Sequence, residues 1–377
     1  MADILCCPKC KNLLEISNNF AKCDICKKEW GYTDGSLSFL EHSGHWEILS
    51  EENMRKLIEV AEKENCEIAL EKILLLNTAE HIYKYYTDPL HCGYLKLLPE
   101  IKNATVLDFG SSLGNITLEL AKKYSTVISV DTAKYSLKFL NVWAKQKNIK
   151  NIQTILIDPV EYSGLPFQDN SFDIVNFNLV LQWVGVQNEK VNPKESQIKC
   201  LKELHRILKP SGIIYLGEIN RYHYKFFFGE PDVSMVPYAS IFSRLFSDIH
   251  VRNYKKSIKY KVNSFFVFNF ADKSANISGS KYRNYKYGTK GIKKLLFKGG
   301  FNKIKMFVPL PDPRFVEYIL DVNDKGINIY MNELISQSLK KENNKAKRLI
   351  LKLLFFFICK LGLTRYFVHG YSVIAQK

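Results

Sequence analysis

Arginine is scarce in this chain of 377 residues, which has nine among its 54 basic side chains, 38 acidic ones and a formal net charge of +16. A shortage of the residue that grips phosphate and guanine with a fork of donors weakens the case for reading the charge alone as a sign of nucleic-acid binding. The opening MADILCCPKCK lacks the basic head, apolar run and small-residue cleavage site of a secretory leader. A reducing cytoplasm is therefore expected, with the nine cysteines free or metal-bound. The apolar run RLILKLLFFFICKLGL would reach only about 24 Å as a helix, against a hydrocarbon layer of about 30 Å, and contains Lys352 and Lys360, which argues against a transmembrane span. Internal repeats and low-complexity tracts are absent too.

What is present suffices for a large core. At 46% hydrophobic residues, the chain can build one large domain or two to three modules. The positive charge is local: residues 221–300 hold 16 Lys/Arg against four Asp/Glu, together with 18 of the 49 aromatics. Such a stretch suits stacking on sugar rings or on RNA bases with lysines along phosphates, and equally suits a cap with an apolar core and a solvated lysine face.

Five cysteines fall within residues 1–41. Four of them form Cys7-x2-Cys10 and Cys23-x2-Cys26, with twelve residues between the pairs. This is zinc-ribbon spacing: each tight knuckle aims two thiolates at one ion, closing a tetrahedral S4 site without an open position for chemistry. A structural Zn2+ is expected, supplying folding energy that forty residues cannot bury for themselves. Cys6 is the alternative to Cys7, although Pro8 and the two-residue gap favour Cys7.

Apolar residues at three- and four-residue spacings predict helices over 44–100. From 104 the rhythm alternates, predicting strands near 104–108, 126–131, 152–157, 172–177 and 212–218, and helices near 114–123, 134–147 and 194–208. Residues 226–290 break the rhythm and are expected to form a cap. NKIKMFVPL and YSVIAQK read as the last two strands, with about sixty residues inserted between them.

VLDFGSSLGN runs from the first of these strands into a turn and a helix. A glycine-containing turn at that place lets a ligand approach the backbone at a helix N-terminus. Its spacing is neither the dinucleotide G-x-G-x-x-G nor a P-loop. It is Asp-x-Gly-x-Ser-x-Gly, which resembles the first motif of class I S-adenosylmethionine-dependent methyltransferases. Asp108, Gly110 and Gly114 match the family's pattern and Ser112 replaces its middle glycine. Serine is small enough for the turn to survive where that backbone is not held at positive φ.

Four further segments resemble the family in order. VISVD ends the second strand in Asp131, where a carboxylate can accept both ribose hydroxyls. LID ends the third in Asp158, which the resemblance places at the adenine amino group, and LPFQDNSFDIVNFNLVLQWV puts Asn178 and Leu179 beside the cofactor. LKELHRILKPSGIIYLGE resembles the family's helix, turn and fifth strand. GEINRYHYKFFFGEPD, VPYASIFSR, YKYGTKGIKKLLFKGGF and VPLPDPRFVEYIL resemble a bacterial and archaeal subgroup associated with polysaccharide and lipopolysaccharide synthesis. Its Glu-Asn-Arg pattern is shifted here, with Ile219 between Glu218 and Asn220–Arg221. The ribbon resembles that of bacterial ribosomal-RNA guanine methyltransferases.

The resemblance implies an α/β fold, a Rossmann-like seven-stranded methyltransferase sheet with an N-terminal zinc ribbon and an α+β cap. Expected boundaries are ribbon 1–41, helical lead-in 42–100, S-adenosylmethionine-binding core 101–225, cap 226–290, and a C-terminal completion 291–377 with an inserted amphipathic helix. The reaction needs a nucleophile aligned with the C–S bond and shielded from water. A hydroxyl acceptor also benefits from a base. Glu218 and His223 are the candidate bases, next to Asn220, Arg221 and Tyr222 at a strand end, and each also reads as an ordinary hydrogen-bonding residue. His205, inside ELHRIL, reads as structural.

The implied acceptor is a saccharide or lipid-linked glycan in cell-surface polysaccharide synthesis. RNA is the competing partner, and a catalytically silent scaffold suggested by Ser112 is a third reading. Lys341, Lys345, Arg348, Lys352 and Lys360 fall on one helical stripe of the inserted segment around 349–363. That stripe could reach anionic headgroups at the inner face of the membrane, or the helix could pack its apolar face on the domain.

Overall fold

The computed structural model describes residues 2–41, 47–158, 164–185, 191–228 and 286–377. Most of the expected cap, including VPYASIFSR, lies outside the described residues.

Four short strands open the chain: β1 (Glu15–Ile16), β2 (Phe20–Cys23), β3 (Lys28–Thr33) and β4 (Ser36–Ser38). The lead-in is helical. Ser50 caps α1 (Glu51–Lys63), accepting from the Asn53 N–H at 3.4 Å, and Asn65 caps α2 (Cys66–Ala69), accepting from Ile68 at 2.7 Å. A π turn (Leu70–Leu75), α3 (Glu80–Thr87) and a 3-10 stretch (Pro89–Leu97) lead to the sheet.

Alternation then follows the sequence reading closely: β5 (Thr105–Phe109), α4 (Asn115–Lys123), β6 (Thr126–Asp131), α5 (Lys134–Gln146), β7 (Ile152–Leu156), β8 (Phe172–Asn178), α6 (Pro193–Ile207) and β9 (Leu208–Ile219). After the undescribed stretch come α7 (Thr289–Gly299), β10 (Asn302–Asp312), β11 (Phe315–Asp321), α8 (Gly326–Lys341), α9 (Lys345–Lys360) and β12 (Gly370–Gln376).

The expected seven strands stand in the order β7-β6-β5-β8-β9-β12-β10. The first five are mutually parallel, β12 runs antiparallel to them, and β10, antiparallel to β12, returns to their direction. Burial of Val127, Ile128 and Val130 in succession shows why β6 is a continuous apolar run: both faces of the sheet are covered.

Three features depart from the expectation. The sheet does not stop at seven strands. VPLPDPRFVEYIL folds back as a hairpin, so β11 pairs with β10 on one edge, and β4 adds in parallel to β7 on the other, Leu37 opposite Ile155. The ribbon thus continues the main sheet, helped by Ser36 and Thr154 sharing a 2.8 Å hydroxyl contact and by Leu5 bridging to Phe167.

The single inserted helix is in fact two. Glu342 ends α8 and Asn344 caps α9 by accepting from Lys347 at 3.0 Å. Lys341 therefore belongs to α8, and the basic stripe is broken between it and Lys345. Ser112 is the third departure, with φ +51°, in the left-handed region it was expected to avoid. Its hydroxyl lies 2.8 Å from the Tyr86 hydroxyl and its N–H donates to Asp131 at 2.7 Å, bonds that compensate the strain.

Candidate functional site

The order in which successive strands are added reverses between the parallel strands β5 and β8, with β6 and β7 on one side and β9 on the other. In an open parallel sheet this is where ligands bind, beyond the carboxyl ends. Gly110, Ser112, Gly114, Asp131, Asp158, Asn178 and Leu179 all fall on that edge.

The turn after β5 is tightly fitted. Gly110 (φ +77°) lies against Val180 and Gly114 (φ +90°) against Leu140, so that a Cβ would meet them at 2.5 and 2.2 Å. Gly114 also opens α4, whose first N–H groups lack intrahelical acceptors.

The three carboxylates are not equivalent. Asp108 is buried and uses both oxygens on protein partners, accepting from Thr117 Oγ1 at 2.5 Å and Asn176 Nδ2 at 2.7 Å. Burial outweighs these bonds and pushes its pKa up to about 6. Asp108 thus ties β5 to α4 and β8, and Tyr94 extends the network by donating to Asn176 Oδ1 at 3.0 Å.

Asp131 shapes the turn itself. Its Oδ2 accepts from Ser112 N at 2.7 Å, and its Oδ1 from Thr132 N at 2.7 Å and Ala133 N at 3.0 Å. Burial raises its pKa, and three N–H donors oppose the rise. Asp158 follows β7 and is buried.

Asn178 is different in kind. It closes β8, is 6% exposed, and neither its Oδ1 nor its Nδ2 has a hydrogen-bond partner. An amide left so costs roughly 1–3 kcal/mol unless something else satisfies it. The neighbouring strand makes room for it: a Cβ on Gly217 would stand 2.0 Å from Asn178 Oδ1. Leu179 follows at φ +59°, its N–H held by Gly217 O at 2.9 Å.

Beyond β9 the same edge carries a second cluster. Glu218 is fully buried, and its Oε1 accepts from Ile219 N at 3.1 Å. His223 is also buried and stacks on His369, with ring centroids 3.8 Å apart and planes at 12°. His369 Nδ1 lies 2.9 Å from Asp312 Oδ2. Arg314 donates to both oxygens of Asp312, at 2.9 and 2.6 Å. Asn220 fastens the group, donating from Nδ2 to Tyr366 O and Val368 O and from its backbone N–H to His369 O.

Burial holds both imidazoles below the ordinary histidine pKa, for His369 against the pull of Asp312. Burial would raise Asp312, but His369 and Arg314 beside it hold its carboxyl well below the usual range.

Sequence reasoning selected Glu218 and His223 but missed Asp312, Arg314 and His369. Their signal was present. Asp312 lies two residues past the predicted strand NKIKMFVPL and His369 two residues before YSVIAQK, yet only antiparallel pairing of β12 with β9 and β10 brings a strand start and a strand end to one edge. Glu47 was missed too. It accepts from Tyr135 N at 2.8 Å and Ser136 Oγ at 2.7 Å, capping α5, and burial pushes its pKa up to about 7. His205 packs edge-on against Phe301, as a structural residue would.

At the ribbon, Cys7, Cys10, Cys23 and Cys26 bring their sulfurs within 4.8 Å of one another. Cys7 Sγ is 3.8 Å from Cys26 Sγ, and Cys10 Sγ 3.5 Å from Cys23 Sγ. A tetrahedral site with metal–sulfur bonds of about 2.3 Å has edges of roughly 3.8 Å, so the four thiols fit Zn2+. Cys6 instead forms a backbone bridge with Leu13 and donates its N–H to Pro166 O.

Residues 107–216 match the family model described as a methyltransferase domain. That segment is a methyltransferase domain. Demethylmenaquinone methyltransferase of Staphylococcus epidermidis is 27% identical over 205 residues, 54% of this chain and 70% of that protein. Phosphoethanolamine N-methyltransferase 3 of Arabidopsis thaliana is 34% identical over 97 residues, which is 25% of this chain and only 18% of the plant protein. Among solved structures, phosphoethanolamine N-methyltransferase 2 of Haemonchus contortus, in complex with S-adenosyl-L-methionine, aligns with a TM-score of 0.40 at 14% identity, covering 85% of this chain and 59% of that one. The methyltransferase domain thus begins and ends within the sheet, and the ribbon, the lead-in and the strands from β10 onward lie outside the matched segment.

Proposed function

We propose that the chain is an S-adenosylmethionine-dependent methyltransferase, and that its domain binds this cofactor where β5 and β8 diverge. The observation that carries the reading is the buried, unpartnered amide of Asn178 on the edge that holds Gly110, Gly114 and Asp131. Three Asp131 lone pairs meet backbone N–H groups, and a carboxylate has about four acceptor sites, so it retains capacity for a ribose hydroxyl. Asp158 would meet the adenine, Leu179 would line the cofactor, and Asp108 would hold the turn in shape. S-adenosylmethionine supplies an electrophilic methyl group on a sulfonium.

The acceptor side belongs to the second cluster. With its Nδ1–H donated to Asp312, neutral His369 has its Nε2 lone pair facing Arg314 Nη2 at 3.5 Å, a long contact that a hydroxyl acceptor would displace, so that Nε2 takes the proton released as the hydroxyl is methylated. Asp312 orients the ring, Asn220 holds the backbone that carries it, and His223 packs against its face. Glu218 lies within the sheet, one residue before that edge. A saccharide or lipid-linked glycan hydroxyl fits this chemistry. The named relatives act on other acceptors, demethylmenaquinone and phosphoethanolamine. A structural Zn2+ would occupy the four ribbon thiols.

Titration calorimetry with S-adenosylmethionine tests the cofactor reading. Wild type should bind, and Asp131→Ala should weaken binding about tenfold or more, because a charged hydrogen bond contributes roughly 1.5–3 kcal/mol. Absence of wild-type binding, or an unchanged affinity in the variant, would sink it.

A further inference from the structure

From Asn343 to Lys377 the chain contains seven Lys/Arg and no Asp or Glu. Most of the charge falls on α9 (Lys345–Lys360), which buries only a narrow stripe, Leu351, Phe355 and Ile358. The opposite face is apolar as well. Leu349, Ile350, Leu353, Phe356, Phe357 and, just past the helix end, Leu361 are each 54–67% exposed. At 3.6 residues per turn this outer face centres roughly 150° from the buried stripe, with Lys345, Arg348 and Lys352 along one border, while Lys347 on the other side is paired with Glu342 at 2.6 Å. An acid-free helix with two apolar faces is more than packing on the domain requires.

We propose that the outer face of α9 docks on an anionic lipid bilayer, lying in the interface with its lysines at the headgroups. The occupant follows from charge complementarity. Cations border an apolar strip about 24 Å long, with no acidic side chain on the helix, and this is the pattern that anionic headgroups over acyl chains accommodate. A parallel arrangement is also the one the length permits: no helix among the described residues is long and apolar enough to cross a membrane.

The helix is fastened beside the acceptor cluster. Phe355 packs against Phe227, Phe228 and Phe367 with ring centroids 5.8–6.1 Å apart. Phe227 follows His223 by four residues and Phe367 precedes His369 by two. Docking would therefore bring the acceptor edge to the membrane surface, which narrows the acceptor to one carried by a lipid. That consequence rests on the methyltransferase reading; the docking itself does not.

The test is flotation of the full chain with vesicles of phosphatidylcholine alone and of phosphatidylcholine with phosphatidylglycerol. Wild type should float with the anionic vesicles and not with the neutral ones. The double variant Leu353→Glu, Phe357→Glu should lose this binding about tenfold or more, and Lys345→Gln, Arg348→Gln, Lys352→Gln should lose most of it and its salt dependence. No flotation of wild type, equal flotation with neutral vesicles, or unchanged binding by either variant would overturn the proposal. So would a wild-type dimer that the Glu variant converts to a monomer in sedimentation, because the face would then belong to a second copy. Both variants alter exposed residues and should bind S-adenosylmethionine as wild type does, so calorimetry on the same samples separates failure of docking from failure of the cofactor reading.

Discussion

Gly217 illustrates how one side chain's absence makes a site. A Cβ there would reach Asn178 Oδ1 at 2.0 Å and Cγ at 3.1 Å, yet the atom in the way is the far end of a movable side chain. Gly217→Ala should therefore change stability by less than about 1 kcal/mol while displacing the amide and weakening S-adenosylmethionine about tenfold. Thermal melting and calorimetry on the same protein read the two effects. A large loss of stability with intact affinity would mean that Gly217 serves the sheet and not the site. Ser112 is the complementary case: a left-handed serine is tolerated because Tyr86 and Asp131 hold it.

Among the elements, the ribbon has the most to reveal by its removal. Its four thiols fit one tetrahedral ion, and β4 carries that knot into the sheet as the neighbour of β7, which ends just before Asp158. Lys11 extends the attachment, reaching Leu165 O and Glu203. Stripping metal with a chelator, or Cys10→Ser, should lower Tm by roughly 5 °C or more, because a sheet edge loses its support along with the ribbon. One zinc per chain should be found by elemental analysis. Absence of metal together with an unshifted Tm in Cys10→Ser would show that the cysteines pack without an ion.

The acceptor cluster is a property of the whole molecule, since Asp312 ends β10, His369 immediately precedes β12 and His223 lies in the segment that follows β9. Both histidines are held neutral by burial, below the ordinary value of about 6.5. If His369 takes the proton, kcat/KM should stay flat through neutral pH and fall only on the acid side, beneath that value, while Asp312→Asn should reduce it about a hundredfold. Stability should move the same way. As pH falls through about 6.5 the unfolded chain takes up protons that the fold excludes, so stability is lost on acidification and is full above that window. A rate that falls already on passing from pH 8 to 7 would rule out this base.

What the residues alone determined is local and periodic. Alternating apolar runs placed β5 to β9 and their helices within a few residues, because strand and helix periods differ too much to be confused over ten positions. The CxxC pairs and the Asp108–Gly114 turn were equally legible, since each is a short covalent spacing that prescribes its own geometry. Tertiary structure alone decided where distant segments meet. The pairing of β4 with β7 and the stacking of His223 on His369 depend on contacts across scores of residues. No local period encodes such contacts, because their free energy arises only when separate faces are buried against one another.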